Sequence, residues 1–286
     1  MTTRQRPLRW RVELLLLVLV YGAYSCGRLL VRGDTDLAVG NGLAILRIEE
    51  VLGLDVERPL NRLFSREGAL GIPADFVYAS LHYLVTPAVL LWLYHRRAAH
   101  YRAARGWLVA STLLGLVGFS LLPTCPPRLL AAPYGFTDTM ARFSSYGWWG
   151  AEASAPRGLG TLTNQYAAMP SLHVGWALWC GIMLWRHARR PLVRALGLAY
   201  PALTAVVVMG TANHYLLDAL AGAAVMGAGR LLARALGPGG DRPGRREPIR
   251  FSRKSTIVSG GWDTSARELL PAQQPAPDDD TAAAAR

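Results

Sequence analysis

The sequence predicts an all-α fold: a polytopic membrane protein built as a six-transmembrane-helix bundle, with an extracytoplasmic interfacial helical loop. Two observations point there first. Apolar residues make up 51% of the chain, and they come in blocks near the ~20 residues that span a bilayer rather than scattered as in a soluble core. The basic residues, nearly all Arg, fall in the short segments between those blocks or in the tail, which is how membrane orientation distributes charge. A formal charge of +12 and a pI near 10.2 would also suit nucleic acid. No nucleic-acid module pattern accompanies them, so the predicted partners are a lipid bilayer and no nucleic acid.

Taken in order, Arg4, Arg6, Arg9 and Arg11 precede an apolar block at 12–31. It is longer than a signal-peptide core and lacks a small-residue cleavage site, so it reads as an uncleaved first span after a cytoplasmic N-terminus. Residues 32–73 mix Asp34, Asp36, Glu49, Glu50, Asp55, Glu57 and Glu67 with Arg47, Arg58, Arg62 and Arg66. There Leu43, Ile45, Leu46, Ile48, Val51 and Leu52 suggest an amphipathic helix lying in the interface as a lid or collar. A second span is expected at 74–94, followed by a basic loop at 95–106 with Arg96, Arg97, Arg102 and Arg105. A third runs over 107–122 and stops at the prolines 123, 126 and 127. The loop 129–169 is too rich in turn formers for another span, and its Trp148 and Trp149 suit an interfacial aromatic belt.

The fourth span, 171–185, is short and closes on Arg186, Arg189 and Arg190; the fifth is 193–209. After a tight link at 210–213 the sixth spans 214–236, where Gly222, Gly227 and Gly229 offer room for close helix packing. The five spans of 74–236 form the core, and 237–286, without an apolar period, is expected to be a disordered cytoplasmic tail. Six spans put the N-terminus, 95–106, 186–192 and the tail on one Arg-rich side, the cytoplasm. The opposite, outward side then receives Arg128, Ser171, His173 and His214.

Those residues carry the chemistry. His214 and Asp218 are four apart, one turn on a helix face, so the carboxylate can hold one ring nitrogen protonated and turn the other outward as nucleophile or base. Pro170 suits a helix's first turn, which would set Ser171 and His173 on an N-terminus that favours an anion. Nucleophile, second imidazole and anion cradle together point to phosphoryl transfer. Asn164, Gln165 and Asn213 are candidate hydrogen-bond donors to a substrate, although loop turns use the same residues. Tyr166 and Tyr215 read as interfacial anchors, and His82 as a satisfied bundle residue. The three cysteines, Cys26, Cys125 and Cys180, form no disulfide framework and no zinc spacing; no metal and no cofactor is expected.

With Pro170-Ser171-Leu172-His173, the sequence His214-Tyr215-Leu216-Leu217-Asp218 some forty residues later, and Pro126-Pro127-Arg128 upstream, residues 74–236 resemble the type 2 phosphatidic acid phosphatase superfamily. Within it the inositol phosphotransferase branch, related to inositol phosphorylceramide synthase, is the most similar. The resemblance implies metal-independent transfer through a phosphohistidine: His214 the nucleophile, Asp218 its orienting carboxylate, His173 the acid and base at the alcohol, Ser171 and Arg128 the phosphate holders. It implies a lipid phosphate ester as substrate, with a head group such as phosphoinositol passing to a lipid or alcohol acceptor. Two cations of the phosphatases are replaced: a Lys seven residues before the first-motif Arg is Leu121, and an Arg six before the nucleophile is Val208. Arg142 or Arg157 are the expected substitutes, and the loss fits a less charged phosphodiester. Two alternatives stay open, a monoester phosphatase using water and a non-enzymatic scaffold or proton-relaying transporter.

Overall fold

The computed structural model describes residues 9–30, 34–149 and 164–236; the expected disordered tail and Arg157 lie outside them. Nine α-helices follow one another within the described residues: α1 (Trp10–Leu30), α2 (Thr35–Leu52), α3 (Glu57–Arg66), α4 (Gly68–Arg96), α5 (Ala98–Leu121), α6 (Thr139–Arg142), α7 (Leu172–His187), α8 (Pro191–Gly210) and α9 (Leu216–Leu236). Five of them, α1, α4, α5, α8 and α9, are long and apolar enough to cross a membrane, and the chain is a membrane protein. Where a fourth span was expected lies α7, whose 16 residues rise about 24 Å, short of a ~30 Å hydrocarbon core. It packs against α4, α5, α8 and α9 with Trp179, Cys180 and Ala177 fully buried. Facing protein on its several sides, it is matched to side chains more than to lipid.

Indole N–H groups pin this core, because a buried donor in an apolar bundle is costly unless it finds an acceptor. Trp107 on α5 donates to the Met226 carbonyl of α9 at 2.7 Å, and Trp179 on α7 to the Ala104 carbonyl of α5 at 3.1 Å. Close approach of α9 depends on two of its three expected glycines. A Cβ at Gly222 would collide with the Ser171 carbonyl and one at Gly229 with Ser111, whereas Gly227 has open space around it.

The basic loop expected at 95–106 shrinks to a junction at Arg97. Helix α5 starts at Ala98 and carries Arg102 and Arg105, since Ala and Arg are good helix formers and the long Arg side chains can reach outward. Arg105 pairs with Glu13 of α1. At the same end of the bundle Arg97 donates twice to the His187 carbonyl, at 3.0 and 2.8 Å, and His100 stacks on His187 with centroids 4.4 Å apart. This ties the α4–α5 and α7–α8 hairpins together there.

Within the expected segment 32–73, the described residues 34–73 form α2, α3 and the start of α4. The expected apolar stripe of helix α2 divides between two faces. Ala38, Gly42, Ile45, Leu46 and Glu49 are buried, while Ile48, Val51 and Leu52 are exposed. Helix α3 packs on α8 and α4. Its Asn61, fully buried, donates to the carbonyls of Thr137 and Gly210 and accepts from Thr137 N–H, crosslinking the end of α8 to the 123–149 loop. Trp149 likewise departs from the aromatic-belt expectation. It is fully buried, donates to the Met140 carbonyl at 3.0 Å and packs edge-on to Phe76 of α4; Trp148 remains partly exposed.

Candidate active site

At the end of the bundle away from Arg97, three loop segments converge on the starts of α7 and α9. Thr124 pairs with the approach to α7, its N–H donating to the Tyr166 carbonyl at 2.7 Å. The turn 211–214 leaves α8 with Ala212 at φ 53°, a left-handed conformation that costs an L-residue roughly 1–2 kcal/mol. Backbone N–H groups of Asn213 and His214 both donate to the Val208 carbonyl, at 3.0 and 3.1 Å. Strain at such a turn is sustained only where its surroundings over-determine it. Here the Ala212 carbonyl also accepts from Arg128 N–H at 2.9 Å.

His214 lies in this turn, two residues before α9 begins, and not on the helix face that a four-residue spacing suggests. Its ring still meets Asp218: Nδ1 is 3.3 Å from the carboxylate, and both residues are buried. The same oxygen of Asp218 accepts from the Tyr215 N–H at 3.0 Å. With Tyr215 ahead of Leu216, Asp218 stands at the third helical position, so it forms the returning half of a capping box while it holds the imidazole.

The other motif is offset from its expected helix register. Ser171 caps α7, which begins at Leu172; Pro170 precedes the helix instead of occupying its first turn, and follows a cis peptide bond. Ser171 is fully buried and its hydroxyl makes no capping hydrogen bond, while its N–H donates to the Asp218 carbonyl at 2.9 Å. The start of α7 is therefore fastened to the first turn of α9. His173 is the second residue of α7, and its ring centroid lies 5.8 Å from that of His214. Tyr78 of α4 stacks on it at 4.6 Å and His82 meets it edge-on at 4.4 Å. His82, expected as a bundle residue, thus adjoins the second imidazole. Placing it there required the packing of α4 on α7, which has no local sequence signal.

Arg128, in a 3-10 turn at Pro127–Leu129, is buried and held at every nitrogen. Nε donates to Asn213 Oδ1 at 3.0 Å, one Nη to Asp138 Oδ2 at 2.9 Å and the other to Gln165 Oε1 at 3.1 Å. Of the five guanidinium N–H donors three are engaged, and an anion can meet only the remaining two without rearrangement. Asn213 also donates through Nδ2 to Thr211, and Asn164 Oδ1 accepts the Tyr166 N–H at 2.9 Å in an Asx turn. In these coordinated positions Asn213 and Gln165 touch Arg128 directly, and Asn164 shapes the loop that delivers Gln165.

Asp138 escaped the reading of the sequence. It caps α6 through the Ala141 N–H and neutralises Arg128, and Thr139 beside it donates to buried Asp75 of α4 at 2.7 Å. An Asp starting a short turn signals a cap; nothing local announces its second partner. Where the phosphatases carry their two further cations, Leu121 is 78% exposed at the end of α5 and Val208 is buried. Arg142 is exposed and lies over the Phe143 ring. Tyr215, expected at the interface, is fully buried and donates its hydroxyl to the Cys125 carbonyl at 3.1 Å.

Taken together, a carboxylate-held imidazole, a second imidazole facing it, a buried hydroxyl and a paired guanidinium can perform nucleophilic and acid–base chemistry on a phosphate ester. A family model described as PAP2 superfamily matches residues 43–232. No curated protein and no solved structure matches the chain.

Proposed function

The chain belongs to the PAP2 superfamily, and from that premise we propose that it transfers a phospho-alcohol head group from a membrane lipid to an alcohol acceptor through a phosphohistidine at His214. Membership makes it a membrane enzyme of the phosphatase or phosphotransferase type. The observation that carries the finer reading is the approach of the His173 and His214 rings, 5.8 Å between centroids, with the Asp218 carboxylate at Nδ1 of the second. With Nδ1 protonated toward Asp218, Nε2 of His214 attacks phosphorus. The P–O bond to the lipid alcohol breaks as His173 supplies the proton to the departing oxygen. In the second half, His173 takes the proton of the incoming hydroxyl, its oxygen attacks phosphorus, and the P–N bond breaks to regenerate His214.

Charge favours a phosphodiester over a monoester. Arg128 is already balanced by Asp138 at 2.9 Å, and the places of two further cations are held by Leu121 and Val208. A phosphodiester brings one negative charge and a monoester close to two at neutral pH, so the monoester would enter with less compensation. In this reading the six spans include α7, both termini are cytoplasmic and the site faces outward, with phosphoinositol as one head group of the expected kind.

Purified protein in vesicles, given phosphatidylinositol labelled in its head group together with an alcohol acceptor, is expected to move the label to the acceptor; His214→Ala abolishes this. Rapid hydrolysis of phosphatidic acid with no head-group exchange would overturn the transferase reading in favour of a water-using phosphatase.

A further inference from the structure

The first turn of α9 carries Asp218, and through it both the His214 ring and the Ser171 N–H. Helix starts leave N–H groups unsatisfied, and the residue before the first turn ordinarily supplies a short side-chain oxygen to cap them. Tyr215 stands at that position here and its hydroxyl is directed away, to the Cys125 carbonyl. The missing acceptor comes from another helix: Glu49 Oε1 of α2 accepts the Leu217 N–H at 2.6 Å. Helix α2 comes close enough because position 42 has no side chain. A Cβ there would sit 2.7 Å from the Cys125 carbonyl and 2.9 Å from the Tyr215 hydroxyl.

We propose that Glu49 is a positioning residue of the phosphotransfer site, capping α9 in trans at Leu217 so that Asp218 and His214 keep their mutual geometry. This rests on the reading of His214 as nucleophile. Glu49 and Glu57 are both fully buried, on consecutive helices joined by only 53–56. The second oxygen of Glu49 and both of Glu57 are buried with no hydrogen-bond partner, and a proton shared between the two carboxyls would pair one of these oxygens from each. Burial pushes both upward, Glu49 to about 9. The remaining charges around the pair are Asp218 on α9 and Asp55 in the connecting turn, with Arg58 committed to Glu50 and Asp55. A shared proton leaves Asp218 facing one neighbouring charge where ionisation of both would give two.

The test uses the full chain in nanodiscs and orthovanadate as probe, an anion that a phosphate-accepting nucleophile binds in the geometry of phosphoryl transfer. Four proteins are compared: wild type, Glu49→Gln, Glu49→Met and His214→Ala, with Glu49→Ala in place of the Met variant if that one does not fold. Amide exchange across 213–220 is followed in parallel. The Gln variant keeps an oxygen for Leu217 and is expected to bind within threefold of wild type with unchanged exchange. Loss of the oxygen in the Met variant is expected to weaken binding about tenfold and speed exchange in that segment. Equal binding by Glu49→Met and wild type, or equal loss in the Gln and Met variants, overturns the positioning role while leaving the nucleophile intact if His214→Ala has lost binding. Binding by His214→Ala at wild-type strength, or none by wild type, instead overturns the reading on which the role depends.

Discussion

Asp218→Asn separates geometry from charge at the proposed nucleophile. The amide oxygen can occupy the place of the carboxylate oxygen that lies 3.3 Å from His214 Nδ1 and 3.0 Å from the Tyr215 N–H, so the start of α9 survives. Lost is the negative charge beside a ring that turns cationic when Nε2 carries phosphorus. Two unit charges 3.3 Å apart attract by about 5 kcal/mol at an effective dielectric constant of ~20. At ~1.4 kcal/mol per factor of ten, this corresponds to a loss of roughly 1,000- to 10,000-fold in the rate of phosphoryl transfer. The assay is single-turnover head-group release in vesicles, paired with a thermal midpoint in detergent. Asp218→Ala serves as the contrast: it should lose activity comparably and in addition about 1 kcal/mol of stability through the broken capping box. An Asn variant that unfolds at the wild-type temperature and keeps activity within tenfold would refute the claim that the Asp218 charge supports a cationic phosphoimidazole.

Three other perturbations bear on neighbouring parts of the site. Asp138→Asn leaves an amide that can still cap α6 but removes the charge balancing Arg128; relative turnover of phosphatidic acid over a phosphodiester lipid should rise about tenfold, given ~1.5–3 kcal/mol for a charged hydrogen bond, and an unchanged ratio counts against the charge argument. Ala212→Gly relieves a φ of 53° and should leave stability equal or up to about 1 kcal/mol higher, whereas Ala212→Val, strained there by its branched side chain, should lower both the thermal midpoint and activity; a Val variant indistinguishable from Gly would contradict that conformation. Glu49 binds its proton more tightly folded, at about 9, than at its ordinary 4.5, so its contribution is full below about 4.5 and is lost as pH rises toward 9. Between pH 5 and 8.5 the wild-type thermal midpoint should therefore fall relative to that of Glu49→Gln, and parallel curves would show that the proton is not retained.

Helices and site differed in how much of them the amino-acid order disclosed. The expected spans at 193–209 and 214–236 fall within two residues of α8 and α9, because long apolar runs bounded by Pro, Gly and Arg carry their own ends. The start of α5 was hidden, since Arg102 and Arg105 resemble a loop by charge although they belong to a helix by propensity. His173, His214 and Asp218 could be singled out because titratable groups stand out against apolar blocks. That the two rings meet rests on α7 and α9 crossing at Gly222, which a single sequence does not encode locally. Asp138, Glu49 and Asn61 acquire their meaning from partners 10, 168 and 149 positions away. In the sequence they look like ordinary surface polar residues, and Glu49 betrays itself only by sharing the helical stripe of Ala38, Gly42 and Ile45.

Arg128 is the hub of four stretches of chain: its own turn, the Asp138 loop, the Gln165 approach and the Asn213 bend. A flat fork with donors spread around its rim can serve all of them at once. An ammonium, with three hydrogens crowded on one atom, cannot reach acceptors arrayed around a plane. Removing this side chain would unfasten the mouth of the enzyme before it altered any affinity for phosphate. Arg128 consequently works as a keystone, and whatever anion it greets is met by a residue already bearing the weight of the vault.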